Sequence, residues 1–427
     1  PLNTLIGRAR GAMADPTRDP STDSAELYRR MLGPFEQHLE GVEHLLVAPD
    51  GALNLIPLDG LLDEAGQPVL AKRSVTYLST GRALLTMDEI LPAQSDPLIV
   101  ANPDFGPAPA GQPRSPNRAA DLAHVSFGSL PGTLEEGEKI QELLPASGLV
   151  FSESATERAL KQVRGPQILH VATHGFFLGD VARSARGATR ALELEVVSED
   201  VPAAAAPAAP PSSLGAAADP LLRSGLALTG ANVRRGERGD DGILTALEAT
   251  TLDLTGTKLV VLSACETGLG DVSNGEGVYG LRRALAEAGA ETLVMSLWKV
   301  DDAATRALMV RYYEKLRAGE GRTEALRHAR LSLLAESATR HPFFWSGFVV
   351  SGDWRPVDWE AQIVARSEAK APPLVRGASP SCACQLPGAG APARGGWLAS
   401  LLLGLGVGTR RHGNGWKRPR HEKERSG

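Results

Sequence analysis

Cysteine is scarce in this 427-residue sequence, which contains only Cys265, Cys382 and Cys384. So few thiols exclude a disulfide framework and favour a reducing compartment. At about 150 residues per domain the chain is long enough for two or three domains with a hydrophobic core, so a stapled miniprotein is also excluded. Cys265, which lies in an apolar stretch, therefore stands out as a free thiol.

An excess of basic charge and a long hydrophobic run are also missing. Lys and Arg number 45 against 50 Asp and Glu, a formal net charge of −5, so no global field attracts nucleic acid or anionic lipid. The apolar run 397–409 is shorter than the roughly 20 residues that span a bilayer. We predict no nucleic-acid partner, and contact of 397–409 with a membrane is only an alternative.

The two ends of the sequence differ from its middle. The sequence opens with Pro1 and shows no signal-peptide pattern, so residues 1–24 are interpreted as a linker from an upstream region. Residues 357–427 are predicted to be a disordered tail. Its Cys-Ala-Cys, apolar run and arginines resemble a sorting signal of some bacterial surface proteins. A cytoplasmic location is predicted, with export and surface anchoring through the tail as the alternative.

The middle of the chain has an α/β pattern. Short apolar runs alternate with amphipathic helical patterns, and the runs lie at 97–103, 148–154, 167–175, 258–268 and 291–300. This alternation predicts a doubly wound, mostly parallel sheet with helices on both faces. A smaller α/β unit is expected over 25–95 and the main unit over 96–356, with a flexible Ala/Pro-rich insertion at 179–220.

Two of the predicted strands end in reactive side chains. His174 follows one strand and precedes Gly175, and Cys265 follows another. Functional residues of parallel sheets lie beyond the carboxyl ends of the strands, so neighbouring strands would bring this pair together. A thiolate beside an imidazole suits acyl transfer, with the backbone N–H groups of Gly175 and Cys265 as candidates to bind the oxyanion. No metal or organic cofactor is required. A cysteine at a strand end is often only a small buried hydrophobe, but the His-Gly strand end favours a nucleophile.

Two rival patterns are weaker. Gly275-Glu-Gly-Val-Tyr-Gly280 matches a dinucleotide fingerprint, but it begins ten residues after Cys265 rather than directly at a strand end. His170 and His174 share the spacing of a zinc-peptidase motif, yet four strand residues separate them by about 13 Å. His170 is predicted to be a packed, structural histidine that supports its neighbour.

Several segments together resemble the CHAT domain family, caspase-like cysteine peptidases related to separase. They are LHVATHGFF, VVLSACETGLGD, NGEGVYGLRRALAEAGAETLVMSLWKVDDAAT and HPFFWSGFVVSGD, and the resemblance extends over 25–355. It implies a caspase-haemoglobinase fold with His174 as general base and Cys265 as nucleophile. It also implies that 25–95 is a degenerate companion unit and that tetratricopeptide-like helical repeats lie upstream.

The sequence therefore predicts a cysteine endopeptidase that hydrolyses peptide bonds of a protein or peptide substrate. Asp271 and Glu276 follow the thiol and are candidates for a substrate pocket that favours a basic residue. The alternative is a catalytically silent or latent CHAT scaffold that acts as a signalling or protein-interaction module.

Overall fold

The computed structural model describes residues 2–85, 87–89, 91–107, 125–177, 220–222, 224–233, 240–263 and 276–359, and only the backbone of 220 and 276–279. All of these residues belong to the compact unit 1–368. The predicted insertion 179–220 lies almost wholly outside the described residues, and the apolar run 397–409 lies outside them entirely. Among the described helices, none has the length and apolar character needed to cross a bilayer.

The strands follow the apolar runs of the sequence. Their bounds are β1 His44–Val47, β2 Ser74–Tyr77, β3 Leu98–Pro103, β4 Gly148–Ser152, β5 Ile168–Ala172, β6 Gly175–Phe177, β7 Ser224–Ala227, β8 Ile243–Thr245, β9 Leu259–Leu262, β10 Thr292–Ser296 and β11 Phe348–Gly352. The central strands β5 and β9 end where the run gives way to Thr173 and Ser263.

The helices alternate with these strands through the main part of the chain. Their bounds are α1 Leu2–Met13, α2 Ser21–Met31, α3 Glu36–Leu39, α4 Pro131–Leu143, α5 Glu157–Lys161, α6 Ala246–Ala249, α7 Glu276–Glu287, α8 Asp302–Arg317, α9 Arg322–Ala335 and α10 Pro342–Trp345. Short 3₁₀ turns occupy Gly33–Phe35, Gly51–Leu55, Leu58–Gly60, Val69–Ala71, Gly81–Leu85, Pro220–Leu222 and Ser337–Thr339. Local caps begin several helices; for example, the Asp301 side chain accepts a hydrogen bond from the backbone of Ala304 at the start of α8.

Within the described residues, eight strands form one sheet in the order β1-β2-β11-β10-β9-β5-β3-β4. Every neighbouring pair is parallel except β10 and β11, which are antiparallel. All residues of β5, β9 and β10 are buried, which requires cover on both faces. The predicted mostly parallel α/β class is therefore confirmed. A smaller antiparallel sheet, β6-β7-β8, continues from the end of β5.

The helix α4 lies very close to the sheet because Gly137 has no side chain. A Cβ atom at this position would lie 3.1 Å from Ala101 Cβ on β3 and 3.1 Å from Leu149 Cδ1 on β4. The helices α4, α8 and α9 pack side by side, and α7 packs with α6 and against β10. Gly137 thus lets α4 bring its neighbour Glu136 down onto the central strands.

We expect Gly137→Ala to lower the free energy of unfolding by about 1 kcal/mol, because overpacking costs more than the gain in helix propensity. The control is Gly7→Ala in α1, where a Cβ would meet nothing within 4 Å. This variant should be stabilised by up to about 1 kcal/mol. Urea unfolding midpoints measure both effects, and stabilisation of the Gly137 variant would show that α4 does not depend on the close approach.

Candidate functional site

The site lies at the carboxyl ends of β5 and β9, two central strands that pair in parallel. Their register places Val171 opposite Leu262, and the backbone N–H of Ser263 donates to the Val171 carbonyl at 2.9 Å. The two strands whose ends precede the predicted reactive residues are therefore neighbours. His174 follows β5 within the described residues, whereas Cys265 lies outside them.

The His174 ring is held in one orientation by a hydrogen bond and two aromatic contacts. Its Nε2 lies 2.7 Å from the carbonyl oxygen of Gly128, and only 6% of the residue is exposed. Ring centroids of Phe105 and Phe127 lie 5.1 Å and 5.7 Å from that of the imidazole. Because a carbonyl only accepts, Nε2 carries the proton and Nδ1 is the basic nitrogen of the neutral ring.

The side-chain amide of Asn232 fixes the segment that supplies the Gly128 carbonyl. Asn232 Oδ1 accepts from the backbone N–H of Phe127 at 2.8 Å, and Nδ2 donates to the carbonyls of Phe127 and Gly106, each at 2.9 Å. The segments on both sides of the imidazole are thereby tied to one side chain. Sequence reasoning missed Asn232, because nothing in its Leu-Thr-Gly-Ala-Asn stretch indicates a contact with Phe127.

His170 is a packed histidine, as the sequence predicts. It is fully buried in the middle of β5, with Nε2 3.0 Å from Glu136 Oε1 and Nδ1 3.2 Å from Tyr313 Oη. Burial, followed by the effects of Tyr312 and Glu136, raises the pKa of Tyr313 well above its ordinary value, so its hydroxyl keeps its proton. Donation therefore runs from Tyr313 to His170 Nδ1, and from His170 Nε2 to Glu136.

The side chains of three predicted site residues, Cys265, Asp271 and Glu276, are not described by the structure. Asp271 lies outside the described residues, as Cys265 does, and of Glu276 only the backbone at the start of α7 is described. Gly175 begins β6 directly after His174 and pairs with Leu226 of β7. In the part of the chain that the structure describes, no group of three or more His, Cys, Asp or Glu residues is arranged to hold a metal ion.

The fold and site define an α/β protein whose central parallel strands end beside a buried, oriented imidazole. A family model for the CHAT domain matches residues 22–353, which is most of the chain. The chain belongs to the CHAT domain family, and the family resemblance found in its motifs is confirmed.

Two curated relatives are similar over most of this chain. It is 26% identical over 365 residues to tetratricopeptide repeat protein 28 of Homo sapiens. The matched region covers 82% of this chain and 14% of that protein. The protein of the same name from Mus musculus is 26% identical over 335 residues. That match covers 75% of this chain and 12% of the mouse protein. The chain therefore spans less than a sixth of the length of either relative.

Solved structures that are similar to this chain include a separase–securin complex and a cysteine proteinase. The separase–securin complex of Saccharomyces cerevisiae has a TM-score of 0.37 and 13% identity, covering 70% of this chain and 15% of that one. The Arg-specific cysteine proteinase gingipain R has a TM-score of 0.41 and 10% identity. The match covers 86% of this chain and 76% of the proteinase chain. The likeness concerns the fold alone, and no residue role is taken from it.

We expect a long-range ¹H–¹⁵N spectrum, recorded where His174 is neutral, to show the Nε2–H tautomer. Asn232→Ala removes three hydrogen bonds and should produce a mixture of tautomers, with a loss of about 1–3 kcal/mol in stability. The control is Asn54→Ala, since Asn54 also binds two backbone carbonyls but in a different region. It should destabilise the protein without changing the His174 signals. Unchanged His174 signals in the Asn232 variant would contradict this role.

Proposed function

We propose that this chain is a cysteine endopeptidase in which His174 is the general base and Cys265 the nucleophile. The register of β5 and β9 carries the proposal: His174 and Cys265 each follow by three positions a member of the Val171–Leu262 pair. Neighbouring strands lie about 4.8 Å apart, so both segments leave the sheet side by side. Membership of the CHAT domain family supports the same assignment.

The oriented imidazole suits each proton transfer that peptide hydrolysis needs. Nδ1 of His174 takes the proton of the Cys265 thiol, and the thiolate attacks the carbonyl carbon of the scissile bond. The backbone N–H groups of Gly175 and Cys265 are proposed to stabilise the oxyanion. Nδ1–H then protonates the leaving amine, and water hydrolyses the thioester, returning the thiol. The cycle consumes the peptide and one water molecule, releases an amine and a carboxylic acid, and regenerates both side chains.

The substrate is proposed to be a protein or peptide with a basic residue before the cut. Asp271 and Glu276 follow Cys265 in the sequence and are assigned to the receiving pocket. The exposed carboxylate of Asp302, which lines the same cavity as His174, supports an acidic environment near the site. A negatively charged site attracts lysine or arginine side chains.

We also propose that helical repeats act with this domain in the full-length protein. The curated relatives are named for tetratricopeptide repeats, and such repeats bind other proteins on extended surfaces. A free thiol nucleophile further favours a reducing compartment such as the cytoplasm.

The proposed activity is tested by incubating proteome-derived peptides with this chain and identifying new N-termini by mass spectrometry. Cys265→Ala should reduce their formation by about three orders of magnitude or more, because the nucleophile is lost. His174→Ala should have a similar effect. The residues before the cuts report the pocket directly, and lysine or arginine is expected there.

A double variant, Cys382→Ala and Cys384→Ala, is the matched control, since it removes the other two thiols of the chain. It should cleave as the parent does. If the parent and Cys265→Ala give the same peptides, the proposed endopeptidase activity is wrong and the interaction-module hypothesis is favoured.

A further inference from the structure

A small cavity of about 30 Å³ lies next to His174. Residues from three separate elements line it: Glu136 from α4, Ser263 from the end of β9 and Thr305 from α8. Thr173 and His174 line the β5 side. The cavity therefore joins the two strand ends of the site to the helices that cover them.

Two hydroxyl groups in this cavity have no hydrogen-bond partner among the described residues. Ser263 Oγ and Thr305 Oγ1 are both unpartnered, and each residue is only 6% exposed. The other two threonines are satisfied, since Thr133 Oγ1 donates to the Leu130 carbonyl and Thr173 Oγ1 donates to the Ala227 carbonyl. Buried hydroxyls that lack a partner are unfavourable, so two of them on residues that line one cavity point to a ligand there.

Glu136 supplies the third polar group. The residue is 2% exposed, and its Oε1 accepts from His170. Glu136 also lines the cavity, and its second carboxylate oxygen, Oε2, is not the one that binds His170. Two hydroxyls and one carboxylate oxygen are a suitable set for a water molecule, which needs two to four partners and about 10–15 Å³ of space.

We propose that the cavity binds one ordered water that links Glu136 to Ser263 and Thr305, and that Glu136 is thereby a positioning residue for Cys265. The water donates to Glu136 Oε2 and exchanges hydrogen bonds with the two hydroxyls. Ser263 is thus held by its backbone to Val171 of β5 and by its side chain to α4 and α8. Cys265 follows two residues later, so this anchor sets where the chain leaves the sheet. The positioning role rests on the proposed function, whereas the water site does not.

The water is tested by a high-resolution crystal structure and by stability. Density is expected within about 3 Å of Ser263 Oγ, Thr305 Oγ1 and Glu136 Oε2. Thr305→Val removes one of the partners of the water and should lower the urea midpoint, and Thr305→Ser should restore it. Thr257→Val is the matched control, because Thr257 Oγ1 is also buried and unpartnered but does not line this cavity. Removal of that hydroxyl should leave the midpoint unchanged or raise it.

A dry cavity, or equal responses of Thr305→Val and Thr257→Val, would overturn the water site. Ligand distances of about 2.3–2.6 Å would also overturn it, since they indicate a bound cation.

The positioning role is tested on the reactivity of Cys265 itself. Glu136→Gln keeps the shape of the side chain but removes its charge, and Thr305→Val removes one of the partners of the water. Both should slow alkylation of Cys265 by iodoacetamide and lower kcat by about ten- to a hundredfold with little change in KM. Alkylation of Cys382 and Cys384, followed by peptide mapping, should not change.

Alkylation needs no peptidase activity, so the two hypotheses fail separately. If Cys265 alkylation responds and no peptide is cut, the positioning role stands and the proposed function fails. If peptides are cut and both variants match the parent in kcat and alkylation, the positioning role is overturned and the proposed function stands.

Discussion

The parallel pairing of β5 with β9 is the constraint on which the rest of the site depends. All residues of both strands are buried, so a slip of one position would exchange the two faces of β5. His170 would then lie on the other face of the sheet, away from Glu136. His174 would also move by one residue along the strand direction relative to the end of β9. One register therefore fixes both the buried polar pair and the strand ends beside it.

The helical layer adds a second constraint, because it places polar groups in an apolar interior. Glu136, His170 and Tyr313 form a buried hydrogen-bonded series in which each member has a partner. Such a series stabilises little by itself, but it makes other arrangements of the same helices and strand unfavourable. The series can form because Gly137 lets α4 lie directly on β3 and β4. A larger residue at 137 would separate the carboxylate from the imidazole.

The strands and the packed state of His170 could be predicted from the sequence because both depend on local apolar pattern. The contacts that orient His174 could not, since Asn232 is 105 residues from Phe127 and Gly128 is 46 residues from His174. Neither Asn232 nor a backbone carbonyl has a local signature of such a contact. The role of Glu136 could not be predicted either, because its burial on α4 beside Gly137 and Ile140 is a property of the folded chain. Its partner His170 lies on β5, 34 residues further along the chain, and the two meet because α4 packs against that strand.

The reversal of strand direction between β10 and β11 explains how the N-terminal strands relate to the site. β1 and β2 run parallel to β11 and therefore antiparallel to β5. Their carboxyl ends lie at the opposite end of the strands from His174. Strand-end side chains of this region therefore cannot reach the imidazole. The region instead contacts α9: Thr76 Oγ1 lies 2.6 Å from Thr323 Oγ1, and buried Asp59 pairs with Arg330. Because α9 packs against α8, which carries Thr305, the N-terminal strands support the site through these two helices.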